Sequence, residues 1–269
     1  MTIEQLQVIG AAALILVPLE WLFPLHRDKK ILRPGLWVDV LHVVVSGTLI
    51  RLGIAATVLG LAYASTLIVP ERVQQAIRGQ AGWLQFVELF LLADLCFYLA
   101  HRLVHAVPRL WRFHAVHHSS EQMDWLASFR VHPVDQILNT TIISVPGVAL
   151  GFSPATLLAY VLLYRVHALL LHSNVRVDFG PLGHVFASPR YHHWHHADEP
   201  QAYDRNFGGQ LVIWDRLFGT FREPRGLPAR YGTGDSVPKD YVRQLVTPLL
   251  PKRRRRGHES PAIGKMASA

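Results

Sequence analysis

From Leu6 to Leu25 the chain is apolar almost without interruption, and the basic run His26-Arg27-Asp28-Lys29-Lys30 follows at once. A stretch of that length reaches across a bilayer, whose hydrocarbon core takes about 20 helical residues. A cleaved signal peptide carries its positive charge ahead of the apolar region, and here the charge comes after it. The expectation is a retained helix with its N-terminus outside and its basic end in the cytoplasm. Further segments repeat the constraint. Leu36 to Val69 is apolar apart from Asp39, His42 and Arg51, which fits one long tilted helix or a span joined to an interfacial piece. After a polar connection from Glu71 to Gly82, Trp83 to about His105 reads as a third helix. Ile137 to Leu171 is apolar again, but Pro146-Gly147 and Gly151-Phe152-Ser153-Pro154 break it, as in two short helices that dip in and return.

Composition supports the same class. Half of the residues are hydrophobic and 17% are charged, against about 25% charged in a soluble domain, and the mean hydropathy is +0.20. The fold expected is all-α, an integral membrane helical bundle with a cytosol-facing, histidine-rich cap. Residues 1–250 read as one membrane-embedded domain, and 251–269 as a basic, disordered tail. The net charge of +8 is gathered at His26–Lys30, at Arg109 and Arg112, and at Lys252–Arg256. These clusters flank apolar runs, as cytoplasmic segments do. They form no basic face on a soluble fold, so a nucleic-acid partner is not expected. The single cysteine, Cys96, excludes an intrachain disulfide framework and a cysteine-built zinc site.

The sixteen histidines of the 269 residues are not spread evenly. An HxxHH spacing should arise by chance about 0.06 times in this composition, yet it occurs at His114/His117/His118 and again at His192/His195/His196. Residues at i, i+3 and i+4 share a helix face, so each HxxHH is expected to aim three imidazoles at one point, and His101 with His105 to aim two. Eight imidazoles suffice for two metal ions of the kind imidazole suits, such as iron, zinc, copper or nickel. His172 lies where the returning hairpin reaches the same face and is expected to be a ligand. His132 is read as either a ligand or an outer partner. His167 is assigned to packing, His184 to a structural or outer role, and His193 off the face of its neighbours. The isolated His26, His42 and His258 are read as surface or membrane-interface residues.

At these residues the chain resembles the membrane-bound fatty acid hydroxylase/sterol desaturase superfamily. The resemblance is carried by Asp94-Leu95-Cys96-Phe97-Tyr98, His101-Arg102-Leu103-Val104-His105 and Trp111-Arg112-Phe113-His114-Ala115-Val116-His117-His118-Ser119. It continues through His172-Ser173-Asn174, Ser188-Pro189-Arg190-Tyr191-His192-His193-Trp194-His195-His196, Asn206-Phe207-Gly208 and Ile213-Trp214-Asp215-Arg216-Leu217-Phe218-Gly219-Thr220, so the boxes and cap fall within residues 90–222. It implies a helical membrane fold and a non-haem di-iron centre that uses O2 and electrons from a separate donor of cytochrome b5, ferredoxin or reductase type. It also implies that His101, His105, His114, His117, His118, His172, His192, His195 and His196 are the metal ligands, with zinc able to replace iron in purified protein. His184 departs from the pattern of many relatives, and the first third of the chain aligns only in its apolar character.

The activity expected is hydroxylation, or desaturation, of a C–H bond in a membrane lipid, fatty acyl chain or sterol-like substrate. Asp94, two helical turns before His101, is a candidate to orient it from behind, or else a capped polar group between helices. Asp198, Asp204 and Asn206 follow the last box; Asn206 is a candidate outer partner of the metal centre, and Asp198 and Asp204 could hold ring N–H groups, although both acids read first as ordinary loop residues. A zinc-dependent membrane hydrolase is the alternative enzyme, but no Glu lies inside a histidine box as HExxH would require. A metal transporter or sensor would need polar residues along the spans, whereas these histidines gather at helix ends. No retrieval signal for the endoplasmic reticulum is recognisable, so a bacterial inner membrane is expected, with the active site on the cytoplasmic side.

Overall fold

A computed structural model describes residues 3–30, 32–234 and 236–251. The basic stretch from Lys252 onward, including His258, lies outside the described residues. The helices are α1 (Ile3–Leu22), α2 (Leu36–Leu41), α3 (Gly47–Ile68), α4 (Glu71–Arg78), α5 (Gly82–Ala106), α6 (Pro108–His118), α7 (Pro133–Ala149), α8 (Pro154–His172), α9 (Pro189–His195), α10 (Ile213–Leu217) and α11 (Tyr241–Val246). Among the described residues β pairing is limited to isolated bridges such as Pro24 with Val175. The protein is a membrane helical bundle topped by a histidine-rich cap.

Among the described residues three helices are long and apolar enough to cross a membrane: the continuous Leu36–Ile68 helix of 33 residues, Gly82–Ala106 of 25 and Pro154–His172 of 19. Leu36–Ile68 joins α2 to α3 through a π turn at His42–Ser46. At about 1.5 Å per residue it measures about 50 Å, well beyond the roughly 30 Å of hydrocarbon. Its first turns are therefore free to enter the cap. There Asp39, His42 and Ser46 are buried, His42 donates through Nε2 to Gln244 Oε1 at 2.9 Å, and the Ser46 and Tyr241 hydroxyls lie 3.2 Å apart. His42 is thus a core residue, contrary to its interface assignment, because the helix overshoots the bilayer. The apolar part of α1, Leu6–Leu22, is shorter than the other three. The polar connection after Ile68 is itself helical, as α4.

The chain reverses between α7 and α8 at Gly151, whose φ of +77 favours glycine. The break falls one turn later than expected, because α7 runs through Pro146 to Ala149. Pro154 then starts α8, and the Ser153 side chain caps it by accepting from Thr156 N at 3.2 Å. Helices pack closely where a side chain is missing: a Cβ on Gly147 would lie 2.6 Å from Leu157 Cδ2. In lipid, where apolar surface is not expelled from water, such approach and interhelical hydrogen bonds hold the bundle. Thr141 Oγ1 accordingly reaches Thr57 Oγ1 at 2.8 Å. Leu89, Ala93, Ile143, Phe152 and Tyr160 form the core of α5, α7 and α8.

The end of this bundle away from the histidines is closed by Gln85. Its amide nitrogen donates to the carbonyls of Arg78 (3.3 Å) and Gln80 (3.0 Å), and its oxygen accepts from Ser153 N at 2.9 Å. Gln85→Leu leaves these groups unpaired and is expected to lower stability by about 1–3 kcal/mol, read as a lower thermal midpoint of the detergent-purified protein.

Candidate metal centre

α5 ends in His101 and His105, one turn apart. Val107 is extended, and Pro108 begins α6 at its first position, which folds the next helix back and carries His114, His117 and His118 against them. His172 is the last residue of α8. α9 is started by Pro189 and capped by Ser188, whose side chain accepts from Tyr191 N, and it carries His192 and His195, with His196 at its C-terminal cap. The nine imidazoles meet in two groups. His101, His105, His114, His118 and His195 form one, and His117, His172, His192 and His196 the other, with the ligand atoms of each group within 4.8 Å of one another. The groups adjoin, the His118 and His196 rings having centroids 4.4 Å apart.

This arrangement corrects the expectation that each HxxHH aims three rings at one point. On a helix, i and i+4 are about 40° apart while i+3 and i+4 differ by about 100°. In both boxes the i and i+4 residues serve one group and the i+3 residue turns to the other: His114 and His118 against His117, His192 and His196 against His195. The two boxes thus interlock across both groups.

Ring orientation is set largely by main-chain carbonyls. His101 donates through Nδ1 to Phe207 O at 2.9 Å, His117 to Arg130 O at 3.2 Å, His172 to Ala168 O at 2.8 Å and His195 to Arg205 O at 2.7 Å. His114 Nδ1 faces Asp135 Oδ2 at 3.0 Å, and His105 Nδ1 lies 3.4 Å from Asp204 Oδ1. With Nδ1 protonated, a neutral imidazole presents a bare lone pair at Nε2. These bare nitrogens face one another: His101 Nε2 is 3.1 Å from His114 Nε2, and His117 Nε2 is 3.1 Å from His172 Nε2. Nε2 of His105, His118 and His195 is buried without a hydrogen-bond partner.

The remaining candidates are placed elsewhere. His132 accepts from Val134 N through Nδ1 at 3.1 Å and donates from Nε2 to Leu245 O at 3.0 Å. It has no lone pair left for a metal and joins neither group. His193 donates to Ser173 O at 3.1 Å and meets the Tyr231 hydroxyl at 2.9 Å, His167 bonds Ala187 O at 2.9 Å, and His184 is exposed. Asp94 does not orient His101. It accepts from Gln210 N (2.8 Å), Leu211 N (3.0 Å) and Trp214 Nε1 (3.0 Å). Asp198 accepts from the Tyr203 hydroxyl at 2.8 Å and touches no ring nitrogen of the two groups. Asn206 touches none either. It sits in the left-handed region at φ 59, which asparagine tolerates, between the two residues whose carbonyls receive His195 and His101. Its side chain donates to Tyr191 O at 3.1 Å and Arg222 O at 2.6 Å.

Asp135, Arg130 and Asp215 were not singled out from the sequence. Asp215 accepts from Phe207 N (2.8 Å), Gly208 N (2.7 Å), Thr220 Oγ1 (2.6 Å) and the Tyr191 hydroxyl. With Asp94 it ties down the loop that offers Phe207 O to His101. The available signal was the Trp214-Asp215-Arg216 run, whose acid had no assigned role.

The chain matches the fatty acid hydroxylase family over residues 86–220. It belongs to that family. All nine clustered histidines fall inside the match. Similar proteins include Ornithine lipid hydroxylase OlsE of Rhizobium tropici, 36% identical over 172 residues that make up 64% of this chain and 52% of the relative. Human alkylglycerol monooxygenase is 33% identical over 132 residues, 49% of this chain and 29% of that protein. Rat methylsterol monooxygenase 1 is 26% identical over 133 residues, 48% of this chain and 44% of the relative. The chain spans about half, or less, of the length of these relatives. No solved structure matches it.

Burial, reinforced by neighbouring imidazoles, pushes the protonation of His117, His118, His192 and His196 well below its ordinary range, and burial brings His195 down to about 3. The unfolded chain takes up protons near pH 6.5 and the folded chain does not, so stability falls as pH drops below 6.5 and is unaffected by these groups above it. The thermal midpoint of chelator-treated protein is expected to be flat from about pH 7.5 upward and to decline steadily between about pH 6.5 and 4.5. A second expectation concerns the loop: Asp94→Ala frees three N–H donors and should speed hydrogen exchange at Gln210 and Leu211 by about tenfold or more, measured against wild type.

Proposed function

We propose that the protein is a membrane-embedded, O2-dependent lipid hydroxylase in which each of the two histidine groups holds one iron ion. The observation that carries this reading is the facing of bare lone pairs. Two such nitrogens 3.1 Å apart repel each other unless a cation lies between them. A metal bound about 2.1 Å from each, near a right angle, requires a separation of about 3.0 Å. The five-histidine group exceeds what a tetrahedral zinc takes, and imidazole donors suit iron. Outward N–H groups fixed on carbonyls or carboxylates are the usual support for histidines that bind metal.

Bound iron would supply the activation of O2 toward an unactivated C–H bond, using electrons from a separate donor protein. The chain's own residues do the rest. Phe207 O, Arg205 O, Arg130 O and Ala168 O fix the tautomers, so that the lone pairs need no reorganisation. Phe97 lies between His101 and Tyr164, with ring centroids 5.1 and 5.9 Å away, and gives the five-histidine group an apolar wall toward the α5–α8 interior. That wall keeps water from the site and suits a hydrocarbon substrate. The substrate class is a membrane lipid, in keeping with the lipid and sterol names of the relatives. The basic run after α1 argues for the cytoplasmic face, since Leu25 N bonds Asn174 O at 2.8 Å, beside His172. A zinc hydrolase is less favoured: the carboxylates against the five-histidine group, Asp135 and Asp204, face ring nitrogens.

The test is metal and product analysis of detergent-purified protein beside a His117→Ala/His195→Ala variant, which removes one donor from each group. The expected result is one iron per group in wild type, loss of metal in the variant, and lipid that gains an oxygen atom from isotopically heavy O2 when a reductase is supplied. Wild type that takes up no metal on reconstitution would overturn the reading.

A further inference from the structure

We infer that Arg130 is a positioning residue for the four-histidine group, held by a buried ion network that extends into a part of the chain outside the family match. The inference rests on the metal-centre reading above. Arg130 offers its carbonyl to His117 Nδ1 at 3.2 Å. It follows the short Trp125–Phe129 helix with φ −73 and ψ 83, so no repeating hydrogen-bond ladder fixes the direction of that carbonyl. Its side chain does. The guanidinium bonds Asp39 Oδ1, Gly35 O at 3.0 Å and Ser119 O at 3.3 Å. Asp39 lies on α2 and Ser119 directly follows His118, so one planar fork ties the N-terminal segment to the end of the histidine box.

Asp39 is itself shared. Its other oxygen meets Arg33 Nη2 at 2.5 Å, and Arg33 makes a two-pronged contact to Asp124, Nε to Oδ2 at 2.6 Å and Nη2 to Oδ1 at 2.7 Å. Asp124 accepts from Ala127 N at 3.0 Å, capping the turn that delivers Arg130. The side chains thus form a chain, Asp124–Arg33–Asp39–Arg130, whose two ends are joined by the backbone turn that Asp124 caps. Lys29 extends it, at 3.2 Å from Asp124 and 3.1 Å from Glu20. Three cations balance three carboxylates, and the side chains of Arg33 and Asp39 are 0% exposed. Such a network contributes little net stability compared with apolar packing of the same volume. What it supplies is direction, because each fork fixes its partner's plane. Arg33 and Asp39 precede residue 86, where the family match begins.

The test uses the full chain in detergent, stripped of metal and titrated with Co2+. Arg130→Lys keeps the charge and loses the fork; Asp39→Asn keeps the shape and loses the charge. Both are expected to bind one Co2+ as wild type does and the other about 10–100-fold more weakly, with the absorption of the second ion altered. Gln85→Leu, at the far end of the bundle, is the control for simple destabilisation and should leave both affinities unchanged. A wild-type measurement covers variants that fail to fold: Co2+ should slow hydrogen exchange across residues 33–41 and 124–131 and leave α4 unaffected, since coupling between sites is reciprocal. Unchanged affinities in both variants, equal weakening of both sites, or no metal effect on exchange at 33–41 would overturn the inference. Wild type that binds no Co2+ would instead remove the metal-centre reading, and this inference with it.

Discussion

Nitrogen lone pairs that face each other with no proton between them are the constraint on which the rest of the cap depends. A neutral imidazole has one N–H and one lone pair, so a ring that points Nε2 inward turns Nδ1 outward, and six of the nine rest that Nδ1 on an acceptor, whereas Nδ1 of His192 and His196 is buried without one. Four of the nine use main-chain carbonyls and two face carboxylates. Charging the rings is no alternative, because the groups are buried and adjoin one another. The cap therefore reads as a set of devices for holding carbonyl oxygens still. Asp94 and Asp215 gather four backbone N–H groups and three side-chain donors around the loop at Phe207, Asn206 takes up its left-handed turn, and the Arg33–Asp39–Arg130 chain of ion pairs aims the carbonyl opposite. Carboxylates near this site bind backbone and arginine more than histidine.

That division explains which parts were legible in the sequence. The two HxxHH boxes and the HxxxH pair are local patterns, and the helices they require form where expected. The apolar runs likewise announced the Leu36–Ile68 and Gly82–Ala106 helices to within a residue or two. By contrast α8, expected as one of two short dipping helices, is itself long and apolar enough to cross a membrane, and the expected span at Leu6–Leu25 is the shorter one. How the rings divide between two groups was not legible. The 100° step between i+3 and i+4 permits the division, but the sequence does not say which partner helix stands on which side. Of the two readings open for Asp94, the sequence could not choose for the same reason: its two-turn offset from His101 is real, yet its partners come from residues 210–214, more than a hundred positions away. His132 had the neighbours of a ligand, and only the carbonyl of Leu245 reveals that its second nitrogen is engaged. Asp39 and His42 looked like interruptions in a membrane span because a periodicity argument assumes that a helix ends where the bilayer does.

The overshoot of that helix also fixes the depth of the site. Gly53 packs on Ile137 and Thr57 bonds Thr141, so α3 and α7 run parallel with a constant offset. By that register Asp135, which holds His114, lies level with Arg51. Below Arg51 the helix continues to Ile68, about 26 Å at 1.5 Å per residue, close to the roughly 30 Å of a hydrocarbon core. An arginine at that level keeps its charge among the headgroups while its stem lies in lipid. With Arg51 at the headgroups, the histidine groups would stand at the boundary between headgroups and chains and not at the bilayer centre. On the function proposed above, a hydrocarbon substrate would reach the five-histidine group past Phe97, which packs between His101 and Tyr164, while the polar partners of the reaction would have to use the cap, so one set of nine rings would serve two kinds of reactant.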